Sequence, residues 1–245
     1  MERLINEEKK EKESNQQHLA TFLLIRHGET TANCEGIIQG QSDYPLTDKG
    51  KQQAAAISNQ LANIKIDRIY TSDLSRAYDT AIEILQNQLN AELIADPRLR
   101  EISLGAREHL PLGTTRATAN RIQASRLGIP TREYTPPPFE TSQDVTRRVA
   151  EFVSTTTSEL IQRKNNDREM KIPTIIAVIS HNGALFRMLT EVLGIQNFDR
   201  LENCSISTVK LLITSEQGII FQAQRISDTR HLTGSLAPVE AIQEG

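Results

Sequence analysis

The sequence predicts an α/β fold: a three-layer α/β/α sandwich around a mostly parallel sheet, with a small inserted cap. Three observations lead there. Apolar runs ("FLLI", "IDRIY", "PTIIAVIS") alternate with stretches of helical period, and such alternation implies parallel strands joined by helical crossovers. The first and last of these runs are continuously apolar, as strands covered on both faces are. Between about 104 and 140 the alternation breaks, and "TPPPFET" closes the interval. Three successive prolines fit neither a helix nor a strand interior, so this interval reads as an inserted cap of one helix and a proline-rich return.

The elements follow in order. "MERLINEEKKEKESNQQH" mixes charges of both signs and predicts a disordered tail or frayed helix over 1–18, ahead of a domain spanning 19–232. Phe22–Ile25, followed by Gly28, reads as a buried strand. A loop rich in Gly, Asn, Asp and Pro leads to a helix in "LTDKGKQQAAAISNQLANI", with Thr47 as N-cap and Ala54, Ile57 and Leu61 on one face. "IDRIYTS" is a second strand. The next helix, "SDLSRAYDTAIEILQNQL", takes Ser72 or Asp73 as its cap and turns Ala77, Ala81, Ile84 and Leu85 inward. "AELIAD" is a third strand. Beyond the cap, "TSQDVTRRVAEFVSTTTSELIQRK" forms a long helix with a stripe of Val145, Val149, Phe152 and Val153. "NNDREMK" is a polar turn before the most apolar strand. "GALFRMLTEVLG" is a helix stopped by Gly194. "SISTVKLLIT" and "GIIFQAQRI" close the sheet as a pair, and 233–245 trails off as a second tail.

Composition narrows the function classes. A chain of 245 residues is long enough to build a core without disulfides. A net charge of −3 argues against a general binder of nucleic acid or membrane surfaces. A signal-peptide core and an apolar run of about 18 residues are both lacking, which predicts a soluble, cytoplasmic protein. Cys34 and Cys204 lack CxxC spacing and read as free thiols, with a single bridge left open.

In open α/β sheets, ligands bind beyond the carboxyl ends of the strands. Two strands here end in histidine, "LLIRH" and "AVISH", and the helix after the second strand carries Arg76. "RLREI" brings Glu101 to the same edge. Singly, each has a plainer reading: a structural histidine, a solvated arginine, a surface glutamate paired with Arg98 or Arg100. Together, Arg26, His27, Arg76, Glu101 and His181 converge on one edge of one sheet, and it is the joint arrangement that points to a site. A neutral imidazole, with an unperturbed pKa of about 6.5, is a good nucleophile. Guanidinium forks hold phosphate oxygens in bidentate fashion. A protonated carboxyl can supply the leaving group's proton. His181 stands before a helix whose first amides, Asn182 and Gly183, favour anions. Arginine beside a metal ligand is electrostatically poor, and neither HExxH nor carboxylate-rich spacing occurs, so neither metal nor cofactor is expected.

"LIRHGETTAN", "TSDLSRAYDTA", "RLREISLG" and "VISHNGALFR" resemble, in order and approximate spacing, four blocks of the histidine phosphatase (phosphoglycerate mutase-like) superfamily. The match runs from about Thr21 to His231. "RHGETTANCEGIIQGQSDYPLTDKGKQQAAA" and "YTPPPFETSQDV" look most similar to its fructose-2,6-bisphosphatase-like TIGAR group. The resemblance implies a phosphohistidine at His27, whose ring is oriented by the Gly28 carbonyl, with Glu101 as general acid. It adds Asn33, Gln39 and Gly40 as contacts to the substrate. It implies a metal-independent phosphatase acting on a small phosphorylated metabolite, such as fructose 2,6-bisphosphate or a phosphoglycerate. A mutase and a phospho-ligand-binding module are the alternatives. Arg107, Arg116 and Arg121 are candidate holders of a second phosphate. Two positions depart from the family pattern. His109 stands where glycine is common, which predicts a cap entering at its own angle, and Asn182 stands where glycine is frequent.

Overall fold

The computed structural model describes residues 16–167 and 173–238. Residues 1–15 and 239–245 of the two expected tails, and 168–171 of the expected polar turn, lie outside the described residues.

The strands are β1 (Gln16–Arg26), β2 (Arg68–Thr71), β3 (Glu92–Ala95), β4 (Thr174–Ser180), β5 (Ile206–Thr214) and β6 (Gly218–Asp228). They form one six-stranded sheet in the order β3-β2-β4-β1-β5-β6. The first four in that order are mutually parallel, whereas β5 runs antiparallel to β1, and β6 to β5. The helices are α1 (Thr31–Glu35), α2 (Asp48–Leu61), α3 (Ser75–Leu85), α4 (Arg116–Arg126), α5 (Ser142–Asn166) and α6 (Asn182–Arg187). The last runs on as a π-helical turn, Met188–Val192.

Both faces of the sheet are covered, as its continuous apolar strands require. Phe22, Leu24 and Val178 face Val149, Phe152 and Leu185 of α5 and α6. Their strand neighbours Leu23, Ile25 and Ile179 face Ile57, Ala77 and Ile84 of α2 and α3. Successive side chains thus enter opposite layers, the consequence of a period of two in a sheet packed on both sides.

Three expectations need adjusting. Strand β1 begins at Gln16, so residues 16–18 of the expected tail pair with Leu212, Ile213 and Thr214 of β5. Their polar side chains gave no strand signal; a partner strand long enough to satisfy their backbone groups decides the matter. At the other end, Gly234–Leu236 forms a 3-10 turn, and Leu236 packs against the α2/α3 layer. Neither Ser72 nor Asp73 caps α3. The Asp43 carboxylate reaches over from the preceding loop and accepts from Ser75 N (3.2 Å) and Ser75 Oγ (3.0 Å), while Asp73 pairs with Arg100 at 2.6 Å. The expectation of free thiols holds for both cysteines, Cys34 exposed and Cys204 buried.

The interval expected to be a cap contains α4, which packs Ala119 on Ala106 and Leu110 in a small cluster of its own. Arg116 lies over the Phe139 ring at 3.4 Å and ties the proline return to this helix. Backbone bonds from Ile38 N to Leu110 O (2.8 Å) and from His109 N to Ile38 O (3.0 Å) join the segment to the α1–α2 loop. His109 has φ +65°. It keeps the left-handed conformation in which glycine is favoured, and its ring reaches Tyr44 Oη at 2.7 Å.

Candidate active site

The register of β1 on β4 builds the centre of the site. Arg26 lies opposite Ser180 in the parallel ladder, so the next residues, His27 and His181, emerge side by side. Their ring centroids stand 5.1 Å apart. Thr71 of β2 lies opposite Ile179, which places Ser72 beside the same pair. Both histidines are almost fully buried.

Hydrogen bonds set the two rings differently. His27 Nδ1 lies 2.7 Å from Gly28 O, so that nitrogen carries the proton and Nε2 keeps its lone pair free. Gly28 is itself held by its N–H donating to Thr80 Oγ1 of α3 (3.1 Å). Burial, then the Arg76 and Arg26 charges, push the His27 pKa well below 6.5, so the imidazole is neutral at pH 7. His181 Nδ1 accepts from Arg76 Nε (3.2 Å), and its Nε2 bonds Ser72 Oγ at 2.9 Å. Burial and Arg76 likewise push its pKa well below 6.5. Both nitrogens of His181 are therefore engaged, and the ring orients Arg76. The strand end places this ring at the edge but does not name its partners.

The two guanidinium groups are buried without a carboxylate in hydrogen-bonding contact among the described residues. Arg76, 1% exposed, donates to Gly40 O (2.8 Å), Ser42 O (2.9 Å) and His181. Arg26, 4% exposed, donates to Leu201 O (2.7 Å), and its Nε is a buried donor with no partner. Burial, with Arg200 nearby, lowers the Arg26 pKa to about 10, which leaves it cationic at neutral pH. Buried cations are ordinarily paired, and here the acceptors are mostly neutral. Such a setting favours an anion.

Glu101 sits in the loop beyond β3 and the 3-10 turn Pro97–Leu99. Its Oε1 accepts from Ile102 N (2.8 Å) and its Oε2 from Gly183 N (3.0 Å). The second bond corrects the expectation for the α6 amides: Gly183 N–H serves the Glu101 carboxylate and is not left for a phosphate. A Cβ at Gly183 would overlap Glu101 Oε1, so glycine permits this approach. Gly40, at φ +54°, permits another: a Cβ there would overlap the Glu108 carboxylate, which accepts from Gln41 N and Ser42 Oγ and fixes the turn that receives Arg76.

A cavity of about 590 Å³ opens over this edge, lined among others by Arg26, His27, Asn33, Gln39, Gly40, Arg76, Glu101 and Asn182. Eight of the nine residues singled out from sequence thus face one hollow, and His181 backs it. Asn33 closes a capping box on Thr30 at the start of α1, and Gln39 Oε1 accepts from Thr30 Oγ1 (3.0 Å). Of the three cap arginines, only Arg107 lines the cavity. Arg116 is stacked on Phe139, and Arg121 lines a separate surface hollow with Arg126.

Several contributors escaped the sequence reading. Asn203 Nδ2 donates to His27 O (2.9 Å) and lies 3.3 Å from Asn33 Oδ1. Arg200 lines the cavity. Both precede β5, and because β5 is antiparallel its first residues lie at the carboxyl edge of the parallel strands. Ser72 directly follows β2; the strand-end argument that found the histidines would also have found it. The described residues hold no cluster of three or more His, Cys, Asp or Glu side chains that could bind a metal.

A family model described as the histidine phosphatase superfamily (branch 1) matches residues 22–222. The chain belongs to this superfamily. Among its relatives is the probable phosphoglycerate mutase GpmB of Cronobacter sakazakii (strain ATCC BAA-894). It is 34% identical over 191 residues, which cover 76% of this chain and 82% of that protein. Fructose-2,6-bisphosphatase TIGAR B of Danio rerio is 37% identical over 150 residues, covering 59% of this chain and 56% of that protein. The solved structure of Bacillus stearothermophilus YhfR superposes with a TM-score of 0.66 at 26% identity, over 86% of this chain and 98% of that one. The histidine phosphatase α/β fold is thereby established, and the relatives' names include both phosphatases and mutases. No helix among the described residues is long and apolar enough to cross a membrane.

Proposed function

We propose that this histidine phosphatase superfamily member hydrolyses phosphomonoesters of small metabolites through a phosphohistidine at His27. The observation that carries the reading is a neutral, buried imidazole between two buried guanidinium groups, one of which keeps an unpartnered Nε. In the first step His27 Nε2 forms a bond to phosphorus while the ester P–O bond breaks. Glu101, entering as the carboxylic acid, gives its proton to the leaving alkoxide. In the second step water attacks phosphorus, the P–N bond breaks, and the Glu101 carboxylate takes the water's proton. Inorganic phosphate leaves, and both residues return to their starting forms. Arg26 and Arg76 hold the phosphoryl oxygens through both transfers.

The cavity volume suits a small metabolite. Arg107 and Arg200 at its wall supply cations for a second anionic group, and Ile37, Ile38 and Leu112 supply an apolar side. A sugar bisphosphate such as fructose 2,6-bisphosphate, or a phosphoglycerate, has this character. The test is phosphate release from a panel of phosphorylated metabolites, with His27→Ala as the blank, joined to rapid-quench labelling. Acid-labile label on His27 with release of phosphate is expected. Release by His27→Ala at the unaltered rate would refute the reading. The GpmB likeness, which spans more of both chains than the TIGAR likeness does, favours a mutase as the second reading. A requirement for a bisphosphate primer would distinguish it.

A further inference from the structure

Arg148, midway along the first half of α5, lines no part of the cavity, yet three of its five N–H donors reach carbonyls of the loop that carries Glu101 and the other two reach Glu140. Nη1 donates to Arg98 O (2.8 Å) and Arg100 O (2.5 Å). Nη2 donates to Glu101 O (3.1 Å) and Glu140 Oε2 (3.0 Å), and Nε donates to Glu140 Oε1 (2.9 Å). Glu140, at the end of the proline return, also accepts from Ser103 N (2.9 Å). Gln41 Nε2 adds a second donor to Glu101 O at 3.1 Å. The Arg148 and Glu140 side chains are only 15% and 22% exposed.

We infer that Arg148, clamped by Glu140, is a positioning residue for the general acid: it fixes the backbone of residues 98–103 so that the Glu101 carboxyl meets the leaving oxygen. The reason is geometric. Glu101 sits on irregular backbone with no strand ladder to define it, so three neighbouring carbonyls must be fixed by something else. A planar guanidinium with five donors can hold those carbonyls and one carboxylate at once. An ammonium, with three donors and no plane, cannot. Gln41 extends the arrangement, because it lies between Gly40 and Ser42, whose carbonyls receive Arg76. The acid and the phosphate-binding cation are thus registered to each other through one turn.

The inference rests on the hydrolase reading above, and its test separates the two. kcat/KM is measured for Arg148→Lys and Arg148→Met on substituted phenyl phosphates running from 4-nitrophenyl to 4-methoxyphenyl. A good leaving group needs no proton and a poor one does, so a misplaced acid penalises the poor ones selectively. Both variants should lose roughly ten- to a hundredfold more with 4-methoxyphenyl than with 4-nitrophenyl phosphate. Glu101→Gln should show the same steepened dependence, and adding Arg148→Lys to it should steepen it no further. A partly unfolded variant loses the same factor on every ester, so poor folding cannot imitate this result. An equal loss across the series in both Arg148 variants would overturn the positioning role. Absence of phosphate release and of His27 labelling in the unaltered protein would remove the hydrolase reading itself, and the positioning role with it.

Discussion

At the scale of single residues, the site works by contrast between burial and charge. His27 is kept neutral by its buried position and two cations, so it presents a lone pair without first losing a proton. Glu101 is aimed by two backbone amides, and only glycine at 183 leaves room for its carboxylate. Two outcomes follow from this geometry. Glu101→Gln should lower kcat by about 10²–10⁴, the range of general acid catalysis, with the largest loss on esters of poor leaving groups in steady-state assays. Gly183→Ala should displace that carboxylate and lower kcat/KM by about 10²-fold, since an ångström of misplacement costs that much. Its melting temperature should stay close to that of the unaltered protein, because alanine suits a helix's first turn better than glycine does. A Gly183→Ala protein with full activity would show that the Glu101 position does not matter.

At the scale of elements, the helices are ended by residues of two kinds. Thr47 and Thr141 cap their own helices, through Gly50 N (2.9 Å) and Asp144 N (3.2 Å); Thr47 is expected from sequence, and the structure adds Thr141. α3 instead borrows Asp43 from the loop that also carries Gly40 and Ser42. The helix bearing Arg76 and the carbonyls that receive Arg76 are therefore tied by the same segment. Asp43→Ala should cost about 0.5–2 kcal/mol, as loss of an N-cap does, measured by urea unfolding, and should raise KM by loosening Arg76. Unchanged stability and unchanged KM together would show that the contact is incidental. Inward residues of α2, α3 and α5 follow the period of the sequence, Ile57, Ala77 and Val149 among them, because one buried stripe per helix is a local property.

At the scale of the whole molecule, two histidines held neutral in the interior make stability depend on pH. Their folded pKa values lie well below 6.5, the unfolded value. As pH falls below about 6.5, the unfolded chain binds protons that the folded one does not, so acid favours unfolding. The contribution is complete above that value and is lost as pH drops through the folded values. A thermal melt series from about pH 8 down to about pH 5 should show the melting temperature falling below about pH 6.5. A melting temperature constant over that range would contradict the burial of neutral rings.

The sequence by itself determined the strand–helix alternation, the inward faces, the free edge on which a site would open and the residue types that meet there. These follow from hydrophobic period, glycine and proline placement and strand ends, all of which are local. Only the tertiary structure decided which strands lie side by side, and with them the meeting of His27 and His181. It decided that β1 reaches back to Gln16, that His181 orients Arg76, and that Gly183 N–H belongs to Glu101. It also brought Asn203 and Arg200 to the site from the antiparallel strand's approach, and Arg148 to the loop behind the acid. The physical reason is common to all of them. Each depends on partners distant along the chain, and a hydrogen bond between distant segments leaves no period, spacing or composition from which to read it.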